Sequence, residues 1–347
     1  MVPIGLVTAV PDAIGHWSYY AIGSRCDNGA MRGDPTLKSR HSSERFRTAI
    51  VLGSVALAAA GARTHAQDME PRAYGNTPVG LNFLIGEYGY MTGAVATDPS
   101  VPLENANIHV HSGDLAFARA LNLDGRAAKL DVVLPYSWLD GTAELQGQSV
   151  QRQISGLGDP RLRLSVLLYG APPLTLREFA AYQQDIIIGV SVQVSAPLGQ
   201  YDANKLVNIG THRWAVQPEL GISKRIGPWT LELALAASVF ETNDEFLGGK
   251  SRAQDPIYSA QAHVIFNTRS GVWFALDGTL YTGGRTTVDG VRGDDLQRNS
   301  RLGVTVTLPV NVHNSIKLNA SAGVSTRTGS DFDGFGIAWQ HRWGGGL

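Results

Sequence analysis

The residues able to do chemistry fall into three sets. The first is histidines near serines: His109, His111 and Ser112 in one stretch, and Ser259 four residues before His263. A Ser/His pair with an orienting carboxylate would be a nucleophile and its base. Neither pair sits in the glycine pattern of a nucleophile elbow, so no catalytic residue is assigned and an enzyme is not expected. The His109-x-His111 spacing also suggests metal, but an i, i+2 pair on a strand without cysteine or a third fixed ligand is weak. Asp331 and Asp333 in Gly-Ser-Asp-Phe-Asp-Gly lack the later glutamate of a calcium loop. No metal and no cofactor are therefore expected.

The second set is charge of both signs scattered along alternating segments: Arg161, Arg163, Arg213, Glu219, Glu232, Asp277 and Arg301. In a polar lumen such a mixture makes cross-strand salt bridges. Its functional reading is a weakly cationic constriction that draws carboxylates or phenolates along a solute path. The third set, Tyr201, Asp202, Asp255, Arg285, Asp331 and Asp333, lies beside glycines in the longer connections. These are either turns that stabilise a rim or a polar extracellular vestibule.

The elements that must position these residues have period two. Leu130, Val132, Leu134, Tyr136 and Trp138 oppose Lys129, Asp131 and Ser137; Ile186, Ile188, Val190, Val192 and Val194 oppose Asp185, Ser191, Gln193 and Ser195. The same alternation runs through Leu231, Leu233 and Leu235, through Leu302, Val304 and Val306, and through Ile316 and Leu318. About twelve strands are expected, near 79–90, 107–121, 127–139, 159–170, 184–196, 211–225, 229–241, 257–268, 272–283, 298–309, 314–327 and 334–343. Connections alternate between long, such as 91–106, 140–158, 197–210, 242–256, 284–297 and 328–333, and tight turns. The exception is 171–183, where Pro172 and Pro173 precede an expected short helix.

Composition rules out disorder and coiled coil, with small polar residues in place of charge. Of 347 residues only 17% are charged, with 29 Lys+Arg against 30 Asp+Glu, 40 Gly and one Cys, while mean hydropathy is only -0.07. No basic cluster marks a nucleic-acid partner. The apolar run Ala49 to Ala62 follows Lys38, Arg40, Arg45 and Arg47 and precedes Arg63-Thr64-His65-Ala66. It reads as a secretory signal, too short to span a membrane, with cleavage after Ala66. Residues 1–66 are then an over-extended N-terminus plus signal, 67–77 a short periplasmic lead-in, and 78–345 the barrel. The mature chain carries 22 Lys+Arg against 26 Asp+Glu and loses Cys26, so it has no disulfide or thiolate site.

Period-two strands suit a soluble sandwich or a transmembrane barrel. Strands of about ten residues, long connections at one end with tight turns at the other, and outward aromatics near strand ends favour the barrel. The expected fold is all-β, a closed antiparallel transmembrane β-barrel of about twelve strands behind a signal peptide.

The stretches Ala196-Pro197-Leu198-Gly199-Gln200-Tyr201-Asp202, Asn208-Ile209-Gly210-Thr211-His212-Arg213-Trp214, Gln217-Pro218-Glu219-Leu220-Gly221, Gln254-Asp255-Pro256, Gly283-Gly284-Arg285-Thr286, Asn299-Ser300-Arg301-Leu302-Gly303 and Gly329-Ser330-Asp331-Phe332-Asp333 resemble an outer-membrane transporter family. That family is named for the meta-cleavage (MetA) pathway of phenol degradation, and the resemblance covers about 78–345. It implies a Gram-negative outer-membrane protein that passes small aromatic or hydrophobic compounds. Its partners would be outer-membrane lipid, a small-molecule solute and the barrel assembly machinery, with no nucleic acid. A general small-solute porin with weak anion preference and a barrel lipid hydrolase are the alternatives. One departure is the C-terminus, where Gly344-Gly345-Gly346-Leu347 follows Trp343 in place of a final aromatic.

Overall fold

The computed structural model describes residues 10–11, 17–18, 69–96, 103–145, 148–205 and 207–347. The expected signal, 49–66, lies outside them. The twelve expected strands all form: β1 Leu81–Ala96, β2 Leu103–Leu123, β3 Arg126–Leu145, β4 Arg161–Tyr169, β5 Ile186–Ser195, β6 Ala215–Ile226, β7 Trp229–Phe240, β8 Ile257–Asn267, β9 Trp273–Gly283, β10 Gln297–Pro309, β11 Asn314–Ser325 and β12 Gly329–Gly344. Each pairs antiparallel with its sequence neighbours, and β12 pairs with β1 over the whole of both strands. That last ladder closes the twelve strands into a barrel.

The alternation in sequence becomes inside and outside. Leu233 is 46% exposed and Val192 46%, whereas the adjacent Glu232 is 8% exposed and Ser191 3%. A water-soluble sheet protein would show the reverse, and an apolar band of this extent needs lipid against it. Exposed aromatics gather near the strand ends: Trp229 packs against Phe266 with ring centroids 4.8 Å apart at the tight-turn end, and Tyr136 against Trp138 at 4.7 Å towards the other. Among the described residues no helix is long and apolar enough to cross a membrane.

The tight turns are built by local chemistry. Between β2 and β3, Asp124 and Gly125 both have positive φ, 48° and 76°, and the Asn122 side chain accepts from Gly125 N at 2.9 Å. This matches the two-residue hairpin turn whose twist suits the flanking strands. The helix expected within 171–183 is α1, Leu176–Phe179. Thr175 accepts from Glu178 N while Glu178 accepts from Thr175 N, a reciprocal capping box.

Several expected loops carry strand instead; in 91–106 every described residue belongs to β1 or β2. The 140–158 connection is a hairpin in which Gln148–Leu157 pairs with the upper half of β3, while β4 pairs with its lower half. The 328–333 connection is almost entirely the start of β12, which pairs with the end of β1. Both stand beyond the apolar belt, where neither face meets lipid, so the polar sequence carries no period-two signal. A separate four-stranded sheet of Asn243–Phe246, Lys250–Gln254, Thr286–Val288 and Val291–Arg292 also rises from the long-connection end.

Candidate functional site

The lumen wall is made by the small and polar residues whose parity is opposite to the lipid face. Ser165, Ser191, Ser223, Thr230, Thr305 and Thr307 are all buried. Several of the charges are held by partners on other strands. Arg163 Nη2 on β4 lies 2.6 Å from Glu219 Oε1 on β6, and its Nε donates to Ser191 on β5 at 3.1 Å. Arg161 Nη2 meets Asp114 Oδ2 on β2 at 3.8 Å. Asp277 Oδ1 is 2.7 Å from His263 Nδ1, and its Oδ2 accepts from Thr305 at 2.8 Å. Arg301 donates to Ser321 at 2.8 Å. His263, singled out in sequence as a partner for Ser259, is thus held by the Asp277 carboxylate on the neighbouring strand.

Inside this wall runs the segment that precedes β1. The lead-in of 67–77, expected in the periplasm, enters the barrel from residue 69 onward. Its Arg72, Tyr74 and Asn76 are all buried, at 2%, 2% and 0% exposure. Tyr74 lies across Gly189 of β5 and Gly221 of β6, which face each other in register. A Cβ at Gly221 would come within 2.0 Å of the Tyr74 ring and one at Gly189 within 2.6 Å, so only two glycines leave room for it. The Tyr74 hydroxyl donates to Glu219 Oε1 at 2.8 Å. Glu70 meets Arg163 Nη1 at 2.5 Å, so Arg163 clamps the segment to the wall. Burial pushes the Tyr74 phenol well above its usual range, and Glu219 beside it acts in the same direction, so the hydroxyl stays a donor.

Lower down, Arg72 N donates to Glu232 Oε2 at 2.6 Å, and Ser223 donates to the other oxygen at 2.9 Å. The Arg72 guanidinium sits 4.7 Å over the Trp273 ring and donates to Asn267. Asn76 donates to Pro172 O at 3.1 Å, and Val79 N to Leu174 O at 2.8 Å, which ties the segment to the α1 connection. The tight-turn end of the lumen is therefore filled by the chain's own N-terminal side. Above it remains a cavity of about 310 Å³ with Tyr74 and Glu70 as part of its floor and Arg161, Gln193, Gln217 and Gln261 on its walls.

The opposite end is built from loops. Asp159 accepts from Gly199 N, Thr211 N and Thr211 Oγ1 at 2.9, 2.8 and 2.7 Å, pinning the two arms of the 196–214 connection. Tyr201 stacks on His212 at 4.7 Å and donates to Glu245 O at 3.2 Å. Asp202 accepts from Asn204 N at 2.9 Å. Asp255 pairs with Arg292 at 2.6 Å, and Arg285 with Asp294 at 3.5 Å. Arg213 crosses the Phe240 ring at 4.5 Å and donates to Gln254.

Of the residues expected along the path, the structure brings together Arg163 and Glu219, with Arg161 on the same cavity wall. Glu232 and Asp277 line the lower lumen, joined by way of Arg72 and His263 respectively. Arg213 sits apart, at the mouth. Tyr201, Asp202, Asp255 and Arg285 are in the loops at the rim. Asp331 and Asp333 are not in a loop: both belong to β12, where they pair in register with Ala94 and Thr92, and Asp333 is buried. Sequence reading missed Glu70, Arg72, Tyr74 and Asn76. The available signal was Gly189 and Gly221, two glycines of inward parity on adjacent strands, which leave a hollow of aromatic size. Among the described residues no group of three or more His, Cys, Asp or Glu side chains is placed to hold a metal ion.

The model of the family described as "Putative MetA-pathway of phenol degradation" matches residues 105–340. Among solved structures, an outer membrane channel from Pseudomonas putida F1 is 20% identical, with 80% of this chain and 100% of that chain covered and a TM-score of 0.67. That likeness shows a shared fold. The beta domain of the Bordetella autotransporter Brka (10% identical, 76% of this chain and 100% of that one, TM-score 0.44) and the transport unit of the Escherichia coli autotransporter AIDA-I (8%, 88% and 99%, TM-score 0.47) are more distant. Comparison with curated proteins finds no match.

Proposed function

The chain belongs to the MetA-pathway phenol-degradation family, and we propose that it is an outer-membrane channel that admits small aromatic or hydrophobic compounds through a gated lumen. The observation that carries the gating is the segment 69–80 lodged among lumen-facing groups at the tight-turn end. A general porin needs a continuous water-filled path. Here Tyr74 and the Arg163 clamp stand in the lumen, so on this reading passage requires them to move. The apolar belt and the aromatic girdles support residence in the outer membrane, with lipid on the outer wall and the barrel assembly machinery as the partner for insertion. Arg161, Arg163, Glu219, Glu232, Asp277 and Arg301 act on this reading as a charge-balanced lining, and the paired histidine and carboxylates hold the wall rather than catalyse. Reconstitution tests it. In planar bilayers the wild-type barrel is expected to pass little steady ion current, while liposomes take up phenols and aromatic acids faster than neutral sugars. Steady conductance without discrimination would establish the porin instead, and neither activity would leave a structural barrel.

The export reading has its own outcome. Residues 1–66 act as leader and the mature protein begins at Gln67, so N-terminal sequencing of the outer-membrane fraction should read Gln67-Asp68-Met69. A chain that keeps Met1 or stays in the cytoplasm would overturn it. Met69, two residues after that start, lies against Gly303.

A further inference from the structure

Arg213 is 7% exposed, yet its buried Nη1 has no hydrogen-bond partner among the described residues. An unsatisfied donor this deeply buried is costly, and more so on a charged group, unless an acceptor completes it. Its Nη2 is committed to Gln254, and its flat face to the Phe240 ring at 4.5 Å. The nearby carboxylate of Asp159 is already engaged by three loop donors. The second cation of this region, Arg252, lies over Phe246 at 5.0 Å. Burial lowers the Arg213 guanidinium to about 10, and the like charge of Arg252 pushes the same way, with Asp159 and Tyr201 opposing. Arg252 and Gln254 are two residues apart on one strand and share a face, so a second guanidinium stands beside the Gln254 that Arg213 holds, each cation against a phenylalanine.

Resting on the reading of the barrel as a path for aromatic solutes, we propose that Arg213, with Arg252 beside it, is a binding site for the carboxylate of a small aromatic acid, whose ring lies against Phe240. A carboxylate presents two coplanar oxygens to the guanidinium fork, which a neutral hydroxyl or amide cannot match. Phe240 and Ile257 are also part of the wall of the 310 Å³ cavity below, so the captured acid is handed to a space of single-ring size lined by Gln193, Gln217 and Gln261. The site thus selects at the mouth, before the solute meets the segment that fills the lower lumen.

The test uses the full mature protein folded in detergent, with benzoate and its neutral isostere benzamide titrated calorimetrically. Benzoate is expected to bind at least about tenfold more tightly than benzamide, a difference of about 1.4 kcal/mol. Arg213→Met should bring benzoate down to the benzamide level, Arg213→Lys should keep part of the preference, and Arg252→Met should weaken benzoate less. Folding of each variant is read from its heat-modifiable mobility; if Arg213→Met does not fold, the lysine and Arg252 variants decide. Benzoate and benzamide binding alike to the wild type, or folded variants that leave benzoate affinity unchanged, would overturn the site. Liposome uptake of phenol, a neutral solute, reports on the channel reading separately: its loss alone would discard transport and keep the anion site.

Discussion

Gly221→Val should turn a closed barrel into a conducting one. The new side chain begins with a Cβ that would stand 2.0 to 2.6 Å from carbons of the Tyr74 ring. No contact of that length is tolerated, and the wall strand is held on both sides by continuous ladders to β5 and β7. The segment 69–80 is the softer partner, so it gives way. Losing the Tyr74 seat also removes its bond to Glu219 at 2.8 Å and loosens the Glu70–Arg163–Glu219 chain. Planar-bilayer recording should show steady single-channel steps several-fold above the wild type, and Gly189→Val, on the facing strand, should do the same. Gly278→Val is the control, because its Cβ would meet only Leu302 at 3.6 Å. If the Gly221 and Gly189 variants fold and conduct no more than the Gly278 variant, the lumen segment is not the gate.

The second large effect concerns the lipid face. Leu233→Arg places a charge on the outer wall of β7 near mid-strand and should destabilise the folded barrel by ~2 to 4 kcal/mol, the cost found for Arg near the bilayer midplane. The matching lumen variant needs care. Ser191 has the right parity but is buried between Arg163 and Tyr74; an arginine there would strike the clamp. Gln261 is the better site, since it lines the open cavity and its strand neighbour Ala262 pairs with Leu233, which puts both substitutions at the same depth. Gln261→Arg should cost less than about 1 kcal/mol. Reversible unfolding in lipid vesicles measures both, and equal losses would mean that the assigned parity of the faces is wrong.

Much of this molecule was legible in one dimension. Wherever a strand crosses the bilayer, lipid on one side and a polar lumen on the other impose opposite chemistries on successive residues, so Leu231, Leu233 and Leu235 against Thr230 and Glu232 announce both the strand and its faces. The same constraint makes the count of twelve readable, since each crossing repeats it. Where the constraint ends, the signal ends: Gln148–Leu157 and the first residues of β12 pair as strands beyond the belt, yet water on both faces leaves their sequences indistinguishable from loops. The pairing of charges was also out of reach. Arg163 and Glu219 are 56 positions apart, and only the pairing of β5 with β4 on one side and β6 on the other brings them within reach across it.

The lumen segment marks the sharpest division between the two levels. Residues 69–80 have no periodicity and no regular element, because their backbone and side chains are satisfied by groups from distant strands: Glu232, Asn267, Trp273, Glu219 and Arg163. Alternation alone determined that this chain builds a membrane barrel with a polar interior. Whether that interior is open was decided by tertiary structure, through the fit of Tyr74 into a hollow that Gly189 and Gly221 create only when β5 and β6 lie side by side.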